Sequence, residues 1–348
     1  MNSQTSLNKF AYELIENRSV RSYDFCGSIN INKLNTLLLA SAKALIKVYI
    51  FQMGFLKQLT QLGGHKSYVK CLRFLNKQDH FLSGSLDQSI IVWSKQLLAS
   101  SKYIQKIKTH SSSVVALVLH PTIENVFISA SSGLIQFFQH SNHKQWFSVG
   151  KITEINQLFG MTINQNGTII VTCGEDNLIN IFEYQKQQQR QNNNQTWLIK
   201  QKINVKQWGF RVCFLDNEIF VFQPVSQNYN GTTRMNIYTL NQQNQFIKDK
   251  TIPIKGGGQL CMENFPPIYN QSKFILLMKN GNYINLFKYT EGQFRLRFKQ
   301  AISFGISDLF GTLSDDGEYL ITWDKLSRQI QIRIYTDLKI NKQENDSE

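Results

Sequence analysis

The stretch Gly64–Ser94, GHKSYVKCLRFLNKQDHFLSGSLDQSIIVWS, constrains the fold of this chain more than any other part of it. It packs three short apolar runs between polar turns. Tyr68–Phe74 alternates, setting Val69 and Cys71 against Lys70 and Arg73. Phe81–Ser85 follows, and then Ile90–Trp93, rich in β-branched and aromatic residues. Runs of this length bounded by Asn, Asp, Gly and Ser read as an antiparallel meander. Leu86-Asp87-Gln88 is the hairpin between the last two strands.

The rhythm recurs along the whole chain. Ser22–Asn30, Thr36–Ala42 and Ala44–Phe51 form a first set, with Phe55–Leu62 as its outer strand. The landmark stretch is the second set, closed by Tyr103–Lys108. Val114–His120, Val126–Ser131 and Leu134–Gln139 are the third, with Trp146–Ile152 outside; here Ser131-Ser132-Gly133 replaces the hairpin Asp, so a His–Asp chain is not expected despite His110. Leu158–Asn164, Ile169–Cys173 and Leu178–Tyr184 make the fourth, with Phe182 where Trp93 stood and Trp197–Val205 outside. The fifth is Phe210–Leu215, Ile219–Pro224 and Met235–Leu240, with Gln245–Ile254. Gly256-Gly257-Gly258 opens the sixth: Gln259–Asn264, Phe274–Met278 and Tyr283–Tyr289, with Phe294–Ala301 outside and Pro266-Pro267 in the turn after its first strand. The seventh is Ile306–Leu313, Tyr319–Trp323 and Ile330–Tyr335. It lacks an outer strand, and Asn8–Glu16 lacks a sheet. Pairing the two closes a ring of seven four-stranded blades and removes an exposed edge.

Gly64-His65, Ser85-Leu86-Asp87 and Val92-Trp93 resemble a WD40 repeat, with Ser94 where that family has its final Asp. The resemblance implies an all-β, seven-bladed WD40-like β-propeller. It also implies a buried hydrogen-bond chain of His65, Ser85, Asp87 and Trp93 that stiffens one blade. His65 and Asp87 are then structural and not a catalytic dyad. Residues 1–337 are expected to form one propeller domain, interrupted by the polar low-complexity loop 185–195, and residues 338–348 are expected to form a disordered tail.

The remaining motifs point away from chemistry. Gly63-Gly64-His65-Lys66-Ser67 lacks the Gly-Lys-Ser/Thr adjacency of a phosphate-binding loop. His140 and His143 have no Cys or carboxylate at ligand spacing. No enzyme, cofactor or metal site is expected. The five cysteines are dispersed, with no CxxC, and read as buried thiols of a reducing compartment. The first residues carry no apolar secretory core, and Lys43 and Lys47 interrupt the longest apolar run. A cytoplasmic protein without a membrane span is expected. The net charge of +14 leaves nucleic acid open as a partner, in an RNA- or ribosome-associated role. The positives are scattered, and no basic cluster with interleaved aromatics stands out.

In WD40-like propellers the narrow face carries the loops that lead into each first strand and the inner hairpins. Aligning each set to Gly64–Ser94 brings Tyr23, Phe25, Lys66, Tyr68, Lys70, Phe159, Glu175, Lys206, Trp208 and Phe210 to that rim. Rigid aromatic area flanked by charge is what a protein-binding hot spot uses. The function this implies is a non-enzymatic scaffold that binds peptides or loops of other proteins within a multi-subunit complex.

Overall fold

A computed structural model describes residues 9–75, 79–100, 102–141, 145–153, 157–185, 196–262, 265–290 and 295–338. Seven antiparallel sheets are arranged as the blades of a propeller. We letter the strands of each blade a to d from the centre outwards. Blade 2 shows the pattern: a is Val69–Phe74, b His80–Ser85, c Ile90–Ser94 and d Tyr103–Ile107. Its b and c strands pair in register, Phe81 opposite Trp93 and Ser83 opposite Ile91. Between c and d lies a short 3-10 helix, Lys95–Ser100, whose Leu98 is buried against the blade.

The ring is closed by both ends of the described chain. Lys9–Leu14 pairs antiparallel with Gln329–Leu338, Tyr12 opposite Tyr335, and so becomes strand d of blade 7. Tyr12 donates its hydroxyl hydrogen to the Gly317 carbonyl at 2.6 Å, and its backbone N–H is accepted by Gln300 Oε1 of blade 6 at 2.8 Å. Val20–Arg21 adds a two-residue extension to the same blade. The core lies between blades. Each apolar cluster joins facing sheets, as when Phe310, Trp323 and Ile330 of blade 7 meet Ile29, Leu38 and Tyr49 of blade 1.

Two inner strands differ from expectation. In blade 1 the ladder is only Ile29–Ile31, not Ser22–Asn30. The Ser41 hydroxyl accepts from the N–H groups of Gly27 (2.8 Å) and Ser28 (3.0 Å), which leaves the residues before Ile29 as a loop. In blade 6 strand a is Ile268–Asn270, not Gln259–Asn264: Gln259–Met262 belongs to the loop before it, and Glu263 and Asn264 lie outside the described residues. Pro266-Pro267 therefore precedes the strand and does not follow it. Proline offers no N–H to a ladder and holds its neighbour out of regular pairing. The buried Arg211 guanidinium also takes the Met262 and Phe265 carbonyls, at 2.5 and 3.1 Å, so they are not available to a strand partner.

The glycine run at 256–258 does serve the turn into blade 6. Gly256 has φ +99°, and a Cβ there would lie 2.0 Å from the Asn280 carbonyl oxygen. Only glycine tolerates both conditions. The sequence 185–195 falls, from 186 onwards, outside the described residues, as does the tail beyond 338.

Candidate protein-binding face

Because strands within a blade alternate in direction, every a strand starts, every b strand ends, every c strand starts and every d strand ends on the same side of the ring. The loops from d to the next a, and the b–c hairpins, therefore gather on one face. All ten residues placed there by sequence lie in or beside those loops.

The hydrogen-bond chain under this face is formed in blade 2, with a different serine. Asp87 faces His65 Nδ1 at 3.1 Å, and His65 Nε2 faces Ser83 Oγ at 2.7 Å. Ser83 Oγ also accepts from Trp93 Nε1 at 2.8 Å. Ser85, the residue expected in the chain, stands beside it: its hydroxyl donates to the Ser67 carbonyl and accepts the Asp87 N–H. The donor order is consistent for a neutral imidazole, with Nδ1–H given to Asp87 and Nε2 accepting from Ser83. Burial lowers the His65 pKa, against the pull of Asp87. Burial alone would raise the Asp87 carboxyl, but hydrogen bonds from Ser89 and the Lys66 N–H, and the neighbouring His65, hold it far below the usual range. Gly64 is fixed by packing, since a Cβ there would sit 3.1 Å from the Trp93 ring. Every polar atom of the chain is spoken for, which makes it architecture and leaves no nucleophile or base to face a substrate.

Other blades reuse the same positions with other chemistry. In blade 3, His110 meets Ser129 Oγ through Nε2 at 2.7 Å and Ser131 Oγ through Nδ1 at 2.8 Å. The second serine takes the place of the missing Asp. In blade 7 the register puts Thr322 where blade 2 has Ser83 and Arg333 where it has Trp93; Arg333 Nη1 donates to Thr322 Oγ1 at 2.9 Å. Blade 5 abandons the polar chain, with Phe222 and Tyr238 at these two positions.

The aromatic residues of the face form two clusters. At blades 1 and 2, Phe25 lies 5.9 Å from Tyr68 and packs edge-on against Phe310 and Trp323 behind it. Tyr68 (43 % exposed) and Tyr23 (65 %) present themselves to solvent. At blades 4 and 5, Trp208 packs at 4.9 Å from Phe210 and 5.9 Å from Phe159. Phe210 is 2 % exposed, so it is the floor of this cluster and not part of the rim. It heads strand a of blade 5, where its ring is enclosed by Phe159 and Trp208. Trp208 and Phe159 are half-buried above it.

Sequence reasoning missed Tyr229. It stands 5.3 Å from Trp208 and donates its hydroxyl to Glu175 Oε1 at 3.2 Å. It belongs to the b–c connection of blade 5, which is far longer than the two- to four-residue connections of the other blades. Asn228 and Tyr229 both adopt positive φ, +63° and +61°. For an aromatic residue this conformation is strained and is held by its surroundings. The bridge between Asn230 and Leu260 ties the same connection to the loop of blade 6. The length of the Val225–Thr233 interruption was the available signal.

Of the charged residues, Lys66 and Lys206 are exposed, while Glu175 and Lys70 are half-buried. Lys70 lies on an inner strand and lines the central channel, a cavity of about 500 Å³ bordered by inner strands of the blades. Among its described lining residues Asp315 is the one carboxylate and there is no histidine. That is not the clustered set of acids and bases a hydrolase would need. His140 packs on Trp146 at 5.1 Å, and His143 lies outside the described residues. Among the described residues no group of three metal-ligating side chains occurs.

Comparison with known proteins agrees with this geometry. Residues 56–94 match the family profile described as "WD domain, G-beta repeat". A chain in a crystal structure of the mitotic checkpoint complex superposes with a TM-score of 0.69 over 96 % of this chain and 95 % of that one, at 12 % identity. The chain is a seven-bladed β-propeller that carries a WD40 repeat over residues 56–94. Among curated proteins, the ubiquitin fusion degradation protein 3 homolog of Caenorhabditis elegans is 41 % identical over 71 residues, covering 20 % of this chain and 8 % of that protein. The intraflagellar transport protein 122 homolog of Mus musculus is 34 % identical over 96 residues, covering 28 % of this chain and 7 % of that protein. The matched segment thus spans less than a tenth of either relative. WD40 propellers act generally as non-catalytic platforms for other proteins, and no helix among the described residues is long and apolar enough to cross a membrane.

Proposed function

We propose that this propeller is a scaffold subunit of a multi-protein complex and that partners dock on its narrow face. The observation that carries the reading is the cluster of Trp208, Tyr229 and Phe159. These rings are presented by loops, backed by the buried Phe210 and rimmed by Lys206 and Glu175. Such a surface offers rigid apolar area at little entropic cost to ordering, with charge at its edge. The Tyr68–Phe25 pair gives a second anchor on the same face, so two partners can be held at once. Two of the similar proteins bear names of assemblies, intraflagellar transport and the mitotic checkpoint complex, which supports the same role here. All five cysteines are free and buried, which suits a cytoplasmic location. The comparisons lend nucleic-acid binding no support, and net charge alone does not carry it.

The test is a tagged purification followed by mass spectrometry, run with the wild type and with Tyr68→Ala and Trp208→Ala. The reading expects a reproducible partner set, part of which is lost with each variant. A wild-type protein that returns alone from several cellular states, or variants that keep every partner, would refute it.

A further inference from the structure

Beside the Trp208 cluster lies a cleft of about 700 Å³ between blades 4 and 5. Its cations are Lys206, Arg234 and Lys248, and no Asp or Glu is among its described lining residues. Ser226, Thr232, Thr233, Thr251 and Tyr238 also line it, with the Ser226 and Thr232 hydroxyls donating to the backbone carbonyls of Asn230 and of Pro224 and Arg234. The arrangement is built by the fold. Strand c of blade 5, Arg234–Leu240, brings Arg234, and strand d, Phe246–Pro253, brings Lys248 and Thr251. The register sets Asn236 opposite Thr251 and Tyr238 opposite Lys248, so these side chains share one face of the sheet. Lys206 arrives from the loop that follows strand d of blade 4. Arg234 is oriented by Thr251, to which its Nε donates at 2.8 Å and its Nη2 at 3.3 Å. Ser226 and Thr232 sit in the same long connection that carries Tyr229.

We propose that this cleft receives a phosphorylated side chain of a partner peptide whose neighbouring apolar residue rests on Trp208 and Tyr229. Three cations, with no carboxylate among the described residues that line the cleft, exceed what one carboxylate neutralises and suit a phosphoryl dianion. Such a group has three acceptor oxygens for guanidinium and ammonium donors. A cleft of this volume is larger than an isolated anion requires and leaves space for flanking peptide. The inference deepens the scaffold reading and rests on it, since the partner is taken to be a protein docking on this face.

The full chain is titrated by fluorescence anisotropy with a degenerate phosphoserine peptide library and its unphosphorylated counterpart. The same protein is tested for sedimentation with phosphatidylcholine vesicles containing a phosphoinositide. Binding of the phosphorylated library, at least about tenfold tighter than its counterpart, is expected. Inorganic pyrophosphate should compete. Arg234→Gln with Lys248→Gln should remove the preference while leaving the unfolding midpoint in place, because neither side chain is in the core. Trp208→Ala should weaken both libraries alike. Equal binding of the two libraries, or a preference that survives the double variant, would overturn the proposal but leave the scaffold reading intact if Trp208→Ala still weakens binding. Vesicle binding without peptide binding would assign the cleft to a lipid headgroup and also overturn it. Binding of neither library, with no partners in the purification above, would remove both readings.

Discussion

Blades 2 and 5 occupy equivalent places in the ring and hold themselves together by different means. In blade 2 the space between strands b and c is bridged by Asp87, His65, Ser83 and Trp93, every donor matched to an acceptor. In blade 5 the Ser83 position is Phe222 and the Trp93 position is Tyr238. Phe220 stacks on Tyr238 at 4.9 Å and meets Phe246 at 5.2 Å. A polar chain gives directionality and specifies one arrangement, whereas aromatic packing gives area and tolerates exchange of residues of similar volume. Blade 4 shows what happens between the two. Its Thr172 stands at the Ser83 position, buried, and its hydroxyl has no partner among the described residues. A propeller can therefore lose its repeat signature one blade at a time, provided each loss is filled by packing.

The contrast can be broken most severely by putting a serine into the apolar blade. Phe222→Ser would leave a cavity and an unmatched hydroxyl, and should cost more than about 4 kcal/mol in a urea titration. A loss under about 1 kcal/mol would mean that blade 5 is not held by this packing. Acidification tests the polar blades next. Burial lowers the His110 pKa to about 4, below its unfolded value near 6.5. The unfolded chain therefore takes up the proton first. This stabilisation is present above about pH 6.5 and is lost as pH falls through 4, to the extent of about 3 kcal/mol at most. His110→Gln should flatten that part of the stability–pH curve; an unchanged curve would place the effect elsewhere.

Smaller changes sharpen the comparison. Ser83→Ala removes the atom shared by His65 and Trp93 and should cost about 1–3 kcal/mol, because two buried groups lose their partner. In blade 7, Arg333→Met exchanges a buried charge for an apolar side chain of similar length. The lost bond to Thr322 is offset by relief of the charge's burial, so the unfolding midpoint should move by the equivalent of about 1 kcal/mol or less. A large loss there would show that Arg333 acts as the full counterpart of Trp93.

Blade 2, the strand rhythm and the pairing of both ends were legible because they rest on local pattern: alternation, hairpin chemistry and a leftover strand that needed an edge. Blade 6 was misread because Gln259–Asn264 has a strand-like composition, while the atoms that divert it lie on Arg211, about fifty residues earlier in the chain. The site divided in the same way. Phe159, Trp208 and Phe210 could be aligned to a common rim from spacing alone. Which of them faces solvent could not, since Phe210 is enclosed by its neighbours from blade 4 and the adjoining loop.

The chain's own residue order determined that there are seven four-stranded units, where the clearest one lies, and that the first strand must complete the last. Periodicity and turn residues encode these directly. Tertiary structure alone decided that Ser83 links His65 to Trp93, that Arg333 donates in place of a tryptophan, and that Tyr229 and three cations converge beside Trp208. Each of these depends on side chains distant in sequence meeting across strands and blades, where register and packing, not local preference, set the contact.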